Sequence, residues 1–253
     1  MNDKVLICAP IGGKKQYSIN EWFKWIALQE YKNFDVALCA NGEGSSDLVE
    51  LIKQVRITLK DKESRIEKRV IALELRNSTD LTIIQKITYA REKLRRYAVK
   101  ENYDYIFFLD TDTIPMNWKT IQLLMDYKKD CISGVYPYKN SSKSTIIDEK
   151  TKTNMFCDDP QIVKSFETHE PFEVWGFGFG CLLLSKTGFQ KGFDYDLFGE
   201  ERTDDYGYCR VLSDQKIPRW ITGEILCQHL GSKDNKASIS SHLSLEIEGG
   251  RDA

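Results

Sequence analysis

The chain of 253 residues is 41% hydrophobic, enough to bury a sizeable core in one α/β domain or two small ones, which speaks against disorder over most of its length. Lys and Arg number 36 against 38 for Asp and Glu, a formal net charge of −2 with both signs scattered, so there is no bulk field for gripping a nucleic-acid backbone. No run of about 18 apolar residues is present to span a bilayer, and MNDKVLICAPIGG lacks the basic and long apolar regions of a signal peptide, so a cytoplasmic protein without a transmembrane segment is expected.

The first half alternates short apolar runs with amphipathic stretches, the pattern of βαβ units and a mostly parallel sheet. Residues 5–9 (VLICA) read as a buried strand. Residues 18–31 read as a helix capped by Ser18, with Glu21 at the capping-box position. FDVALCA, from Phe34, is a second strand ending at a polar loop over residues 41–47. A helix is expected over 47–60, with Leu48, Leu51, Ile52 and Val55 on one face, then a strand over 69–75. Residues 80–99 form a long basic helix with Ile83, Ile84, Ile87, Ala90, Leu94 and Ala98 as its apolar stripe.

YDYIFFL, residues 103–109, is a strand that stops abruptly at DTDTIP, and open parallel sheets bind ligands beyond the carboxyl ends of their strands. A helix over 117–127 and a strand over 131–138 follow. The polar stretch 139–160 reads as an exposed hairpin or mobile loop. The second half is less regular: an aromatic, glycine-rich run at 174–180, a strand at 181–185, a helix at 204–213 and a strand pair around 219–227. Beyond Gly231 the composition turns polar, as in a tail that frays or packs on a partner. Six of the seven cysteines (Cys8, Cys39, Cys131, Cys181, Cys209 and Cys227) lie mostly among apolar neighbours with no CxxC pair, so they read as reduced core residues.

Asp110 and Asp112 directly follow an apolar strand. Two carboxylates there make a concentrated negative site that is costly unless a cation fills it, and oxygen-only ligation suits Mn²⁺ or Mg²⁺ completed by phosphate oxygens. An Asp turn capping the next helix is the competing reading. His229 closes the apolar run EILCQHL, whereas His169 and His242 lie in polar surroundings; His229 is a candidate ligand or a structural histidine. TDDYGYCR opens a helix with Asp204 and Asp205, which fit both N-terminal capping and a carboxylate general base. GFGFG, at 176–180, lacks the GxGxxG spacing and opens a strand, so it is not a dinucleotide fingerprint. Trp175, Phe177 and Phe179 are either a face on which a sugar ring stacks or core.

Together these segments resemble the large inverting family of GT-A fold glycosyltransferases that includes the cellulose-synthase-like enzymes (glycosyltransferase family 2), in order over residues 5–231. FFLDTDTIP is similar to the family's Asp-x-Asp motif, GFGFGCLLLSK to its acceptor-side glycine segment, TDDYGYCR to its Glu-Asp motif, and CQHLG to its C-terminal histidine segment. AREKLRRYA resembles the Ala-Arg-Asn helix, and CANGEGSSD the nucleoside loop. The resemblance implies one α/β GT-A domain over 1–231, with a Rossmann-like, mostly parallel sheet flanked by helices. Its nucleotide-binding half would span 1–115 and a less regular acceptor-binding half 116–231, followed by a polar tail at 232–253. It implies a metal-dependent transfer of one sugar from a UDP- or GDP-linked donor to a glycan, lipid or protein hydroxyl, with inversion.

Carried over residue by residue, the resemblance makes Asp112 a direct ligand of Mn²⁺ or Mg²⁺. Asp110 would contact the ribose or a metal-bound water, and His229 the metal or the diphosphate. Asp205, beside Asp204, would be the base. Pro10, Asn41, Arg91 and Thr111 would border the donor, and Trp175 and Gly178 the acceptor. Asp204 stands where Glu is usual and Asn41 where Asp is common, which leaves the base assignment and the nucleoside preference open. The Gln-x-x-Arg-Trp segment of processive synthases is absent, and Arg219 with Trp220 does not make it.

Two rival functions compete with this reading. A sugar-nucleotide pyrophosphorylase would use Gly12, Gly13, Lys14 and Lys15 as a triphosphate loop, but it explains neither TDDYGYC nor CQHLG. A non-catalytic nucleotide-sugar-binding module would keep the fold without turnover.

Overall fold

The computed structural model describes residues 3–12, 18–60, 65–76, 80–138, 141–192, 203–231 and 236–237. Gly13, Lys14, Lys15, His242 and most of the polar tail lie outside the described residues.

The chain opens with β1 (Val5–Ile11), α1 (Ile19–Leu28) and β2 (Phe34–Ala40). Ser18 makes no side-chain cap bond to α1, and Glu21 pairs instead with Lys24 at 2.7 Å, so the capping box expected there does not form. The next helix, α2 (Ser45–Gln54), begins after Gly44, whose left-handed φ of +72° turns the chain. The helix expected to reach residue 60 ends at Gln54, and β3 (Arg56–Lys60) takes over. The reason is local: Ile57 and Leu59 recur at a period of two and are both buried, a strand spacing that a helix would split between faces. Strand β4 (Arg65–Glu74) pairs antiparallel with β3.

Helix α3 (Ile83–Lys100) starts later than the apolar pattern predicts because Thr82 and Gln85 form a reciprocal capping box, with bonds of 3.2 and 2.9 Å. Ile83, counted in the predicted apolar stripe, is 75% exposed. The buried face instead includes Arg91, Glu92 and Arg95 beside Ala90, Leu94 and Ala98.

After α3 come β5 (Tyr105–Phe108), β6 (Thr113–Pro115), α4 (Thr120–Asp126) and β7 (Cys131–Val135). The polar stretch forms the hairpin expected as one of its two readings, from β8 (Lys143–Ile147) and β9 (Asn154–Phe156). It is followed by α5 (Pro160–Thr168), N-capped by Asp159 with a proline in its first turn, and by β10 (Phe172–Glu173). A 3-10 turn over Phe179–Cys181 leads into β11 (Leu182–Ser185) and the short α6 (Lys186–Phe189). Then come α7 (Asp204–Asp214), β12 (Trp220–Leu230) and β13 (Lys236–Ala237).

The main sheet runs β10-β12-β7-β11-β5-β1-β2-β4-β3, with β6 and β13 joined to β12. The β5-β1-β2-β4 run is parallel, and β11 enters antiparallel between β5 and β7. Leu6 and Cys8 of β1 belong to one core cluster, and Val5, Ile7 and Ala9 to the other, so the sheet is covered on both faces. The strand pair expected near residue 220 is one long strand, β12. Its register with β7 shifts between Ile221 and Leu226. Gly223 lies in that interval, where a Cβ would stand 2.5 Å from the Phe166 nitrogen of α5, so only glycine lets the helix approach. All seven cysteines are free, and the six named above are buried. Among the described residues, no helix is long and apolar enough to cross a membrane.

Candidate active site

Chemistry-bearing residues collect where the parallel strands end. β5 runs out at Leu109 and delivers Asp110, Thr111 and Asp112. The loop is pinned by Leu109 N–H donating to Cys8 O (3.0 Å), Asp110 N–H to Gly180 O (3.2 Å) and Thr113 N–H to Asp110 O (2.9 Å). β6 then pairs with β12, setting Thr113 opposite His229, and Leu230 N–H donates to Asp112 O at 2.7 Å. This pairing brings residues more than a hundred positions apart to one point.

Asp112 is 1% exposed, and its Oδ2 lies 3.6 Å from His229 Nε2. The other ring nitrogen, Nδ1, is 2.9 Å from Pro137 O. A carbonyl only accepts, so Nδ1 carries the hydrogen and Nε2 is the ring nitrogen turned toward a carboxylate oxygen. A carboxylate oxygen and a ring nitrogen converging in this way are a donor pair suited to a cation between them. Metal-bound histidines commonly anchor the remote N–H on a carbonyl in this way. Among the described residues, the buried hydroxyls of Thr111 and Thr113, which flank Asp112 in sequence, have no hydrogen-bond partner, polar capacity that fits a hydrated ion or phosphate. The residues therefore fit a divalent metal.

Asp110 was expected to join that pair, and the structure turns it elsewhere: its Oδ1 accepts from Arg91 Nη2 at 2.8 Å. Among the described residues no group of three or more His, Cys, Asp or Glu is close enough to hold a metal, so two of the three expected groups face one another and the third does not join them. Arg91 reaches across with Nη1 to bond Asp204 Oδ2. Its guanidinium carbon lies 4.8 Å from the Phe179 ring centroid, and Phe179 in turn stacks on Phe108 at 5.6 Å. Burial alone would lower the Arg91 pKa, but Asp204 and Asp110 overcome it and raise the value above its ordinary range.

Asp204 and Asp205 stand in the first turn of α7, where the helix dipole favours acidic side chains. Their environments differ. The Asp204 side chain is 9% exposed and tied to Arg91; burial pushes its carboxyl up to about 6, Arg91 opposes this, and Asp205 and Asp110 add to it. Asp205 is half-buried, and its carboxylate accepts the Tyr206 N–H at 2.8 Å. Of the two, Asp205 is the one with solvent access.

Around this centre, Pro10 is buried near the end of β1 and Asn41 follows β2. The Asn41 amide donates to Lys86 O at 3.4 Å, and a Cβ on Gly12 would meet its Oδ1 at 3.2 Å. Trp175 is half-buried and packs on Tyr206 with ring centroids 4.4 Å apart, placing an aromatic pair beside Asp205, whereas Phe177 and Phe179 are core. Gly178, expected on the acceptor side, is buried, and a Cβ there would collide with the Tyr136 hydroxyl. It makes room for Tyr136, whose hydroxyl accepts the Gly180 N–H at 2.7 Å and whose ring meets His229 edge-on at 5.7 Å. Sequence reasoning missed Tyr136 and Tyr206. Tyr136 sits at the carboxyl end of β7, which the strand-end rule applied to Asp110 would also have flagged.

Solved structures share this arrangement of strands and helices. GalNAc-T7, solved with UDP, GalNAc and Mn²⁺, matches 90% of this chain and 43% of its own at TM-score 0.57 and 12% identity. TarS of S. aureus matches 87% of this chain and 34% of its own at TM-score 0.50 and 12% identity. The fold is of the GT-A type. A197 from STIV aligns over 95% of this chain and 100% of its own, at TM-score 0.49 and 15% identity. The GT-A chain described here thus spans less than half the length of TarS and GalNAc-T7. No protein-family model matches it, and a search of curated proteins by sequence finds no match.

Proposed function

We propose that this chain is a glycosyltransferase that moves one sugar from a nucleoside-diphosphate sugar to an acceptor hydroxyl with inversion, using a divalent metal. The observation that carries the reading is the meeting of Asp112 with His229 at 3.6 Å in a GT-A fold, alongside an accessible carboxylate, Asp205, in the first turn of α7. GalNAc-T7, solved with UDP, GalNAc and Mn²⁺, supports a UDP-linked donor and manganese for this fold.

Asp112 and His229 would hold the metal, which when bound supplies Lewis-acid neutralisation of the diphosphate charge. Asp110, Thr111, Pro10 and Asn41 would border the donor. Asp205 accepts the acceptor's hydroxyl proton as that oxygen bonds to the anomeric carbon. The bond from that carbon to the diphosphate oxygen breaks with its electron pair leaving on the diphosphate. Attack opposite the departing group inverts the anomeric centre. Trp175 and Tyr206 flank the approach to Asp205 with an aromatic surface for the acceptor. Arg91 keeps Asp204 paired, which leaves Asp205 as the base.

Thermal-shift titration with UDP and GDP, each with and without Mn²⁺, followed by hydrolysis assays on the corresponding sugar donors, tests the reading. Selective, manganese-dependent stabilisation with donor turnover supports it; in a parallel titration with UTP and GTP, stabilisation by these triphosphates alone supports a pyrophosphorylase, and binding without turnover supports a binding module.

A further inference from the structure

The proposed chemistry needs two things held in register: the acidic loop after β5 and the first turn of α7. They come from distant parts of the chain, and α7 lacks the usual local device for fixing its start, since Thr203 makes no side-chain cap bond. Arg91 connects them. It is 19 residues from Asp110 and 113 from Asp204, and it donates one arm of its guanidinium to each. Its side chain is 5% exposed and lies over the Phe179 ring, so the fork has little freedom to swing away.

We propose that Arg91 is a positioning residue, setting Asp205 through Asp204 while holding Asp110 at the donor side; this rests on the transferase reading above. A planar guanidinium can satisfy two carboxylates in fixed directions at once, whereas an ammonium carries the same charge without the fork. Asp204 then fixes the turn that carries Asp205 next to it. The half-buried base itself accepts a local bond from the Tyr206 N–H, which ties it to α7 but not to the donor side. Small displacements of a base relative to its reacting group are costly in rate, so the arm to Asp204 acts on turnover. The arm to Asp110 acts on donor affinity.

The test is steady-state donor hydrolysis, with water in place of the acceptor, over a panel of UDP- and GDP-sugars in Mn²⁺, using the donor on which the intact protein is fastest. Arg91→Lys, Asp204→Asn and the double variant are compared, with a thermal melt on each. Asp204→Asn is expected to lower kcat by about tenfold or more with donor KM within about threefold. Arg91→Lys is expected to lower kcat at least as far and also raise donor KM, and the double variant to be no slower than Arg91→Lys. If Arg91→Lys fails to fold, the kcat-against-KM split of Asp204→Asn decides alone. Normal kcat in Arg91→Lys, rescue by the retained charge, multiplying losses in the double variant, or an equal change of kcat and KM in Asp204→Asn overturns the role while leaving the transferase reading intact. An intact protein that hydrolyses none of the donors overturns that reading and the role with it.

Discussion

His229 turns its Nε2 to the Asp112 carboxylate at 3.6 Å while its Nδ1 is fixed 2.9 Å from the Pro137 carbonyl oxygen. The pair exists because β6, only three residues long, docks on β12 immediately after the acidic loop. Asp112→Asn keeps the shape and removes the charge. It is expected to abolish the manganese-dependent part of UDP stabilisation, a loss of at most about 2.7 kcal/mol with UDP at a hundredfold excess over its dissociation constant in Mn²⁺. Thermal shift with and without Mn²⁺ reads this directly, and an unchanged manganese effect would remove Asp112 from the metal site.

Asp205→Asn should leave donor binding nearly intact and cut transfer by roughly 100-fold or more, because a general base of this kind contributes about that factor. Turnover of the variant is compared with its UDP affinity in the same buffer. Full turnover would transfer the base role away from Asp205.

Asp204 gives a pH signature in stability. Its folded carboxyl lies at about 6 against an ordinary 3.8, chiefly through burial. Between those values the folded chain holds a proton that the unfolded chain has released, so this group's contribution to stability falls as pH rises from about 4 to about 6 and is level above. The unfolding free energy of the wild type minus that of Asp204→Asn should follow the same course. A difference that grows with pH over that window would contradict the assignment.

Gly178 and Tyr136 are coupled sterically. An alanine at 178 would strike the Tyr136 hydroxyl, while the ring carbon bearing it stands 3.2 Å from the added Cβ. Gly178→Ala should therefore cost about 1–3 kcal/mol of stability, and less in a Tyr136→Phe background, where the obstructing oxygen is gone. Denaturant unfolding of the four proteins measures the coupling; equal costs in both backgrounds would place the collision elsewhere.

Much of this site can be read in the sequence where its function depends on local pattern. The apolar strand ending in Asp-Thr-Asp and the helix opening on Asp204 and Asp205 each sit within a few residues, and the structure has them where periodicity predicts. What could not be read depends on long-range pairing. Nothing local to Asp110 says that it turns to Arg91, because that contact follows from how deeply α3 is buried, and a basic helix with an apolar stripe conceals three charged residues on its inner face. The β3 strand is hidden in the sequence for a different reason: Leu48, Leu51, Ile52 and Val55 set a helical period, and the change to a period of two at Ile57 and Leu59 covers only five residues. The hairpin of β8 and β9 was half visible, since polar composition marks exposure but not pairing.

The central claim, a divalent ion between Asp112 and His229 with diphosphate oxygens completing its shell, is tested most directly by anomalous diffraction at the manganese edge from crystals soaked with Mn²⁺ and UDP. A manganese peak within coordination distance of Asp112 Oδ2 and His229 Nε2, beside density for the diphosphate, is the predicted result. Nucleotide density with no manganese peak at those two atoms, or a peak elsewhere on the molecule, would contradict it.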